Sequence, residues 1–181
     1  MPITAFVVRV PTAESVVAEL RNRFDSTVQL GVPAHVSILV PFMDPARVTP
    51  AVLAAAQEAL RDIAPFQFSL RRVARFPTTA YLAPEPPDPF IAMTTSLVRN
   101  FPEFLPYVGE HADVIPHLTV AHGDAKDATV AAAELEQKLR IAGPIEARCT
   151  SVALLENSTG QWRELHVFEL PAPSSSTESR S

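Results

Sequence analysis

Pro33-Ala34-His35-Val36-Ser37-Ile38-Leu39-Val40 reads as a short buried strand of β-branched and apolar residues, approached through Gly31 and Pro33 and left at Pro41. Residues i and i+2 of a strand share a face. His35 and Ser37 therefore point one way, and Val36, Ile38 and Val40 point the other, toward a core. A histidine beside a hydroxyl is unremarkable alone. The chain writes the pattern again 82 residues later as Pro116-His117-Leu118-Thr119-Val120-Ala121, with His117 and Thr119 on one face and Leu118 and Val120 on the other.

The same order of elements surrounds both stretches. Ile3 to Val10 is a first strand, too short and too interrupted by Arg9 to be a signal peptide. Thr12 is placed to cap a helix with Val16, Leu20 and Phe24 inward. After the first histidine strand, Thr49-Pro50 starts a helix with Val52, Leu53, Ala56, Leu60 and Ile63 on its buried face. Strands follow over Phe66 to Arg75 and Thr78 to Ala83, then a stiff connection from Pro84 to Pro89. Asp88-Pro89 opens a helix to about Phe101. Beyond the second histidine strand, Asp127 is placed to cap a helix to Arg140, with Val130, Ala133 and Leu139 inward. Ile145 to Leu155 and Gln161 to Leu170 are strands joined by the turn Asn157-Ser158-Thr159-Gly160.

Helix, histidine strand, helix, strand, strand thus occurs twice, over about 12–83 and 88–170, with offsets of 78 residues for Pro50 to Ala128, 79 for Phe66 to Ile145 and 81 for Tyr81 to Trp162. Two copies of one unit pack with pseudo-two-fold symmetry. The expected fold is α+β and bilobal, a single domain over 1–170, with two antiparallel sheets lining a central cleft and helices outside. Residues 171–181, mostly proline, serine and small polar groups, read as a disordered tail.

Composition narrows the function. The formal charge of −5 argues against tight nonspecific binding of long nucleic acid, which needs a broad basic surface, but leaves room for an RNA end or a small nucleotide in a local cleft. Cys149 is the only cysteine, so neither an intrachain disulfide nor a cysteine zinc site can form. No segment reaches membrane-spanning length, and the default is a cytoplasmic monomer. No GxxxxGK[ST] loop is present, so ATP-dependent ligation is not expected.

Two histidines facing one bound group can divide acid–base labour near pH 7, one taking a proton from an attacking oxygen and the other giving one to a leaving oxygen. In-line displacement at phosphorus places those oxygens on opposite sides. Ser37 and Thr119 can donate to the nonbridging oxygens, with no metal or cofactor. The paired motifs His35-Val36-Ser37 and His117-Leu118-Thr119 resemble the His-x-Ser/Thr signatures of the 2H phosphoesterase superfamily. The text GVPAHVSILVPF, VARFPTTAYLAPEPPDPF and VIPHLTVAH is similar to bacterial 2′-5′ RNA ligase family proteins over about residues 3–170. The resemblance implies metal-independent hydrolysis of 2′,3′-cyclic or 2′-5′ phosphodiesters, with His35 and His117 catalytic, Ser37 and Thr119 binding phosphate, and an RNA terminus or small nucleotide as substrate. Which histidine is acid and which base stays open.

Competing readings are kept beside this one. A non-catalytic module could bind a phosphorylated end in the same cleft, and the histidine pair could hydrolyse another ester or lactone. A metal site lacks a third ligand recurring in both halves, and His122 lies an odd number of positions from His117. Tyr81 and Trp162, at matching positions, are candidates to stack on a base, against a plain core role. Arg75 and Arg163 are phosphate donors or solvated strand residues; His111 and His166 read as surface or loop positions.

Overall fold

The computed structural model describes residues 1–109 and 113–172. It contains eight strands, β1 (Thr4–Arg9), β2 (His35–Leu39), β3 (Phe66–Phe76), β4 (Thr79–Glu85), β5 (Leu118–His122), β6 (Ile145–Cys149), β7 (Ser151–Glu156) and β8 (Arg163–Glu169). Four helices accompany them, α1 (Glu14–Phe24), α2 (Pro50–Ala59), α3 (Asp88–Asn100) and α4 (Ala125–Ala142). The α+β class follows the reading from sequence. The two sheets do not: all eight strands form one antiparallel ladder in the order β6-β3-β4-β5-β2-β1-β7-β8. The histidine strands are its central neighbours, joined at Val36 and Leu118.

Alternation builds the sheet's two faces. Phe6 and Val8 of β1, Val36 and Ile38 of β2, and Leu118 and Val120 of β5 enter the main core with Leu20, Met93, Leu97 and Leu135 from the helices. Aromatic rings fill its wider parts, with Phe42 against Phe6 at 4.8 Å and Phe68 against Phe90 at 5.0 Å. Helix α1 packs on β5 and α4, while α3 packs on β2 and α2. Polar side chains of two helices are bonded to β2 and to the residue before it. Thr94 of α3 donates to the Ile38 carbonyl at 2.7 Å, and Glu14 of α1 accepts from the Ala34 N–H at 2.6 Å.

Several local expectations change. Thr12 caps nothing; it lies in a 3-10 turn, Pro11–Ala13, that leads directly into α1. Thr49 does cap α2, accepting from the Val52 N–H at 3.2 Å, but α2 stops at Ala59, before Ile63. Asp124, rather than Asp127, caps α4 by accepting the Asp127 N–H at 2.9 Å. The buried face of α4 is Ala128, Ala131, Ala132, Leu135 and Leu139, which keeps Leu139 inward and leaves Val130 and Ala133 outward. Ile145 to Leu155 breaks at Thr150: β6 pairs with β3, whereas β7 crosses to β1. Pro84 belongs to β4, opposite Leu70, so the connection to α3 is only Pro86-Pro87. His166 is a half-buried β8 residue with its ring 4.6 Å from Phe168. His111 and residues 173–181 of the tail lie outside the described residues.

Candidate active site

The β2–β5 joint sets the site. With Val36 opposite Leu118, both fully buried, antiparallel register carried one residue outward sets His35 opposite Thr119 and Ser37 opposite His117 on the other face. All four are half-buried. The histidines are then a diagonal pair, with backbones about 7–8 Å apart, and the hydroxyls fill the other two corners.

Both rings are held in the same way. Nδ1 of His35 donates to the Pro33 carbonyl and Nδ1 of His117 donates to the Ile115 carbonyl, each at 2.7 Å and each two residues back. A carbonyl can only accept, so these bonds fix the proton on Nδ1 and make Nε2 the acceptor of the neutral ring. Burial pushes the His35 pKa below its ordinary value, and the Arg21 guanidinium and His117 act in the same direction against the Pro33 carbonyl and Asp25. His35 is therefore held neutral.

The segment before His35 is anchored to α1. Arg21 forms a buried ion pair with Asp25 at 3.2 Å and donates to the Val32 carbonyl at 3.0 Å. Asp25 in turn accepts from the Thr27 N–H at 3.1 Å and hydroxyl at 2.7 Å. Together with Glu14 on Ala34, this network fixes the backbone on which His35 is mounted.

The surroundings of the two histidines differ. Beside His35, β1 places Arg9, paired with Glu164 at 2.7 Å. Around His117 the walls are aromatic: Phe76 and Tyr81 meet its ring edge-on at 5.4 Å, and Tyr107 lies nearly parallel at 6.1 Å. The Tyr107 hydroxyl is 3.4 Å from His117 Nε2. Below it lies a cavity of about 30 Å³ lined in part by Ser37, Thr94 and Tyr107, room for a single water. An open groove of about 770 Å³ passes Ile115 and Pro116 and reaches Arg71 and Arg72.

The residues singled out in the sequence divide accordingly. His35, Ser37, His117 and Thr119 converge, with Tyr81 beside them as a buried wall, only 5% exposed. Trp162 lies in the bend before β8 with its side chain against Ala5, Val7, Ala153 and Leu155, and its backbone N–H donates to the Leu30 carbonyl. Arg75 donates to the Ala125 carbonyl at the start of α4, Arg163 pairs with Glu156, and His122 bonds Thr79 at 2.9 Å. Arg9, Phe76 and Tyr107 were not anticipated. Pairing of β1 with β2 would have revealed Arg9, but Tyr107 lies in an aperiodic loop with no sequence signal. Among the described residues, no three His, Cys, Asp or Glu side chains come together to hold a metal, and no helix is long and apolar enough to cross a membrane.

Known proteins agree with this geometry at the level of fold. The structure is similar to TT0787 of Thermus thermophilus (18% identity, TM-score 0.58, covering 95% of this chain and 100% of that one). It is similar also to a crystal structure of a phosphoesterase (15%, 0.61, 94% and 99%) and to E. coli LigT complexed with 3′-AMP (14%, 0.58, 93% and 98%). Compared with curated protein sequences, the chain finds no match. The model of the 2′-5′ RNA ligase superfamily matches residues 9–161, a span that runs from Arg9 through both His-x-Ser/Thr strands to the residue before Trp162, and the chain belongs to that superfamily.

Proposed function

We propose that this protein is a two-histidine phosphoesterase that hydrolyses 2′,3′-cyclic or 2′-5′ phosphodiesters of RNA ends or small nucleotides. The observation that carries the reading is the matched pair of imidazoles, each locked by Nδ1 onto a carbonyl, diagonal to one another across a face that also holds Ser37 and Thr119. Water attacks phosphorus as the bond to the 2′ or 3′ oxygen breaks; one histidine takes the water's proton and the other gives its proton to the departing oxygen, leaving a phosphomonoester. Burial and Arg21 both disfavour the charged form of His35, which favours its entering the reaction as the neutral imidazole. Ser37 and Thr119 donate to the nonbridging oxygens. The 3′-AMP seen with E. coli LigT is a ligand of the same chemical class.

We also read the two sequence units as a duplication with a pseudo-two-fold axis through the Val36–Leu118 joint, supported by the reciprocal packing of α1 on β5 and α3 on β2. The groove toward Arg71 and Arg72 would accept the rest of an RNA chain, and Tyr81 and Trp162 remain candidate base contacts. The test is turnover of 2′,3′-cyclic nucleotides and 2′-5′ dinucleotides by wild type, His35→Ala and His117→Ala. Loss in both variants supports the reading. Saturable binding without product in the wild type would replace it with a binding module.

A further inference from the structure

We propose that Tyr107 is a third polar group of the phosphoryl site, its phenol donating to the substrate's nonbridging oxygen alongside Ser37 and setting the orientation of His117. The inference rests on the phosphoesterase reading above and adds to it a residue outside both His-x-Ser/Thr motifs.

The placement is specific. The Tyr107 oxygen is 3.4 Å from Nε2 of His117, and Tyr107 and Ser37 line one cavity, so the phenol is within reach of an oxygen held by Ser37 and facing His117. Nε2 of His117 is an acceptor, because its Nδ1 proton is committed to the Ile115 carbonyl. The phenol therefore donates to Nε2 in the resting site and turns its single O–H to the phosphoryl oxygen when substrate is bound. The ring lies nearly parallel to the imidazole, 25° between planes, which limits how His117 can turn.

The backbone is arranged to deliver this side chain. Tyr107 and Val108 both adopt left-handed conformations, at φ 51° and 57°, unfavourable for bulky side chains. The Tyr107 N–H is fastened to the Val40 carbonyl at 2.8 Å, just beyond β2. Strain of this kind persists where surrounding contacts over-determine it, and here those contacts are β2 and the site.

In the reaction the phenol transfers no proton. Water's oxygen bonds to phosphorus, the ribose oxygen leaves, and the histidines carry the protons as above. Tyr107 hydrogen-bonds an oxygen whose negative charge grows in the transition state, so its effect falls on kcat more than on KM.

The test compares wild type, Tyr107→Phe, Tyr107→Leu, His35→Ala and His117→Ala in hydrolysis of 2′,3′-cyclic AMP with EDTA present, with a Tm for each. Tyr107→Phe is expected to keep its Tm, with KM raised by no more than about tenfold while kcat falls on the order of a hundredfold. Wild-type kinetics in Tyr107→Phe with a defect in Tyr107→Leu would overturn the proposal and leave the ring as a loop clasp. A faster Tyr107→Phe enzyme with lower KM would overturn it too, making the phenol a plug.

Two readouts need no turnover. The ¹⁵N resonance of His117 Nε2 should move in Tyr107→Phe while that of His35 stays, and inorganic phosphate should bind about tenfold more weakly, the loss of one charge-assisted hydrogen bond. An unmoved resonance with unchanged phosphate affinity overturns the proposal. Turnover surviving in both histidine variants would defeat the two-histidine reading itself. Turnover lost in those variants but intact in Tyr107→Phe defeats only the role of Tyr107.

Discussion

Arg21→Met should destabilise the protein through the approach to His35. The guanidinium is 3% exposed and its partner Asp25 is 4% exposed, at 3.2 Å. Removing one member of a buried pair leaves the other charge uncompensated, at a typical cost of ~3–5 kcal/mol. Asp25 keeps its two bonds from Thr27, which places the effect near the lower end, about 3 kcal/mol. For a domain of this size each kcal/mol moves Tm by about 2–4 °C, so a fall of about 6–12 °C is expected. Adding Asp25→Asn removes the stranded charge while retaining an oxygen for the Thr27 N–H, and should restore about 2 kcal/mol by the double-mutant cycle. Urea unfolding of the four proteins measures this. Because Arg21 also holds the Val32 carbonyl, turnover of the single variant should fall even well below its Tm. A loss under about 1 kcal/mol, or strict additivity in the cycle, would refute the argument.

Other outcomes follow from ionisation. The folded-state pKa of His35 is below its unfolded value near ~6.5, so the unfolded chain binds the extra proton; stability should fall as pH drops below about 6.5, and His35→Gln should flatten that slope in unfolding titrations. The Glu156 carboxyl is held down at about 2 by the Ser158 hydroxyl and N–H and by Arg163. Its contribution is present above the ordinary carboxylate range and lost as pH falls toward 2, so Glu156→Gln should weaken the dependence of stability on acid there. Burial pushes the Cys149 thiol up to about 12, so it should resist a disulfide reagent until the protein unfolds, and prompt labelling of the native protein would contradict its placement.

Local pattern made much of this legible. The alternation around His35 and His117 told which residues enter the core, and the repeat told that the two strands belong together. Pairing was less accessible. One strand reading over Ile145 to Leu155 could not show that a single break at Thr150 sends β6 to β3 and β7 to β1, because that exchange is decided by which sheet edge is open. Nor could two similar units reveal that their sheets are joined through Val36 and Leu118. The cap of α4 shows the same limit at short range: Asp124 and Asp127 are both suitable by type, and Asp124 takes the role. Tyr107 had no signal because its position depends on two left-handed residues that no local propensity favours.

The most direct test of the central claim is hydrolysis of a 2′,3′-cyclic mononucleotide in EDTA, with the 2′- and 3′-phosphate products separated, by wild type, His35→Ala and His117→Ala. Metal-free turnover that falls by about 10²–10⁴-fold in each variant, with Tm preserved, is the predicted result. Full activity in either folded variant would contradict a mechanism in which both histidines move protons.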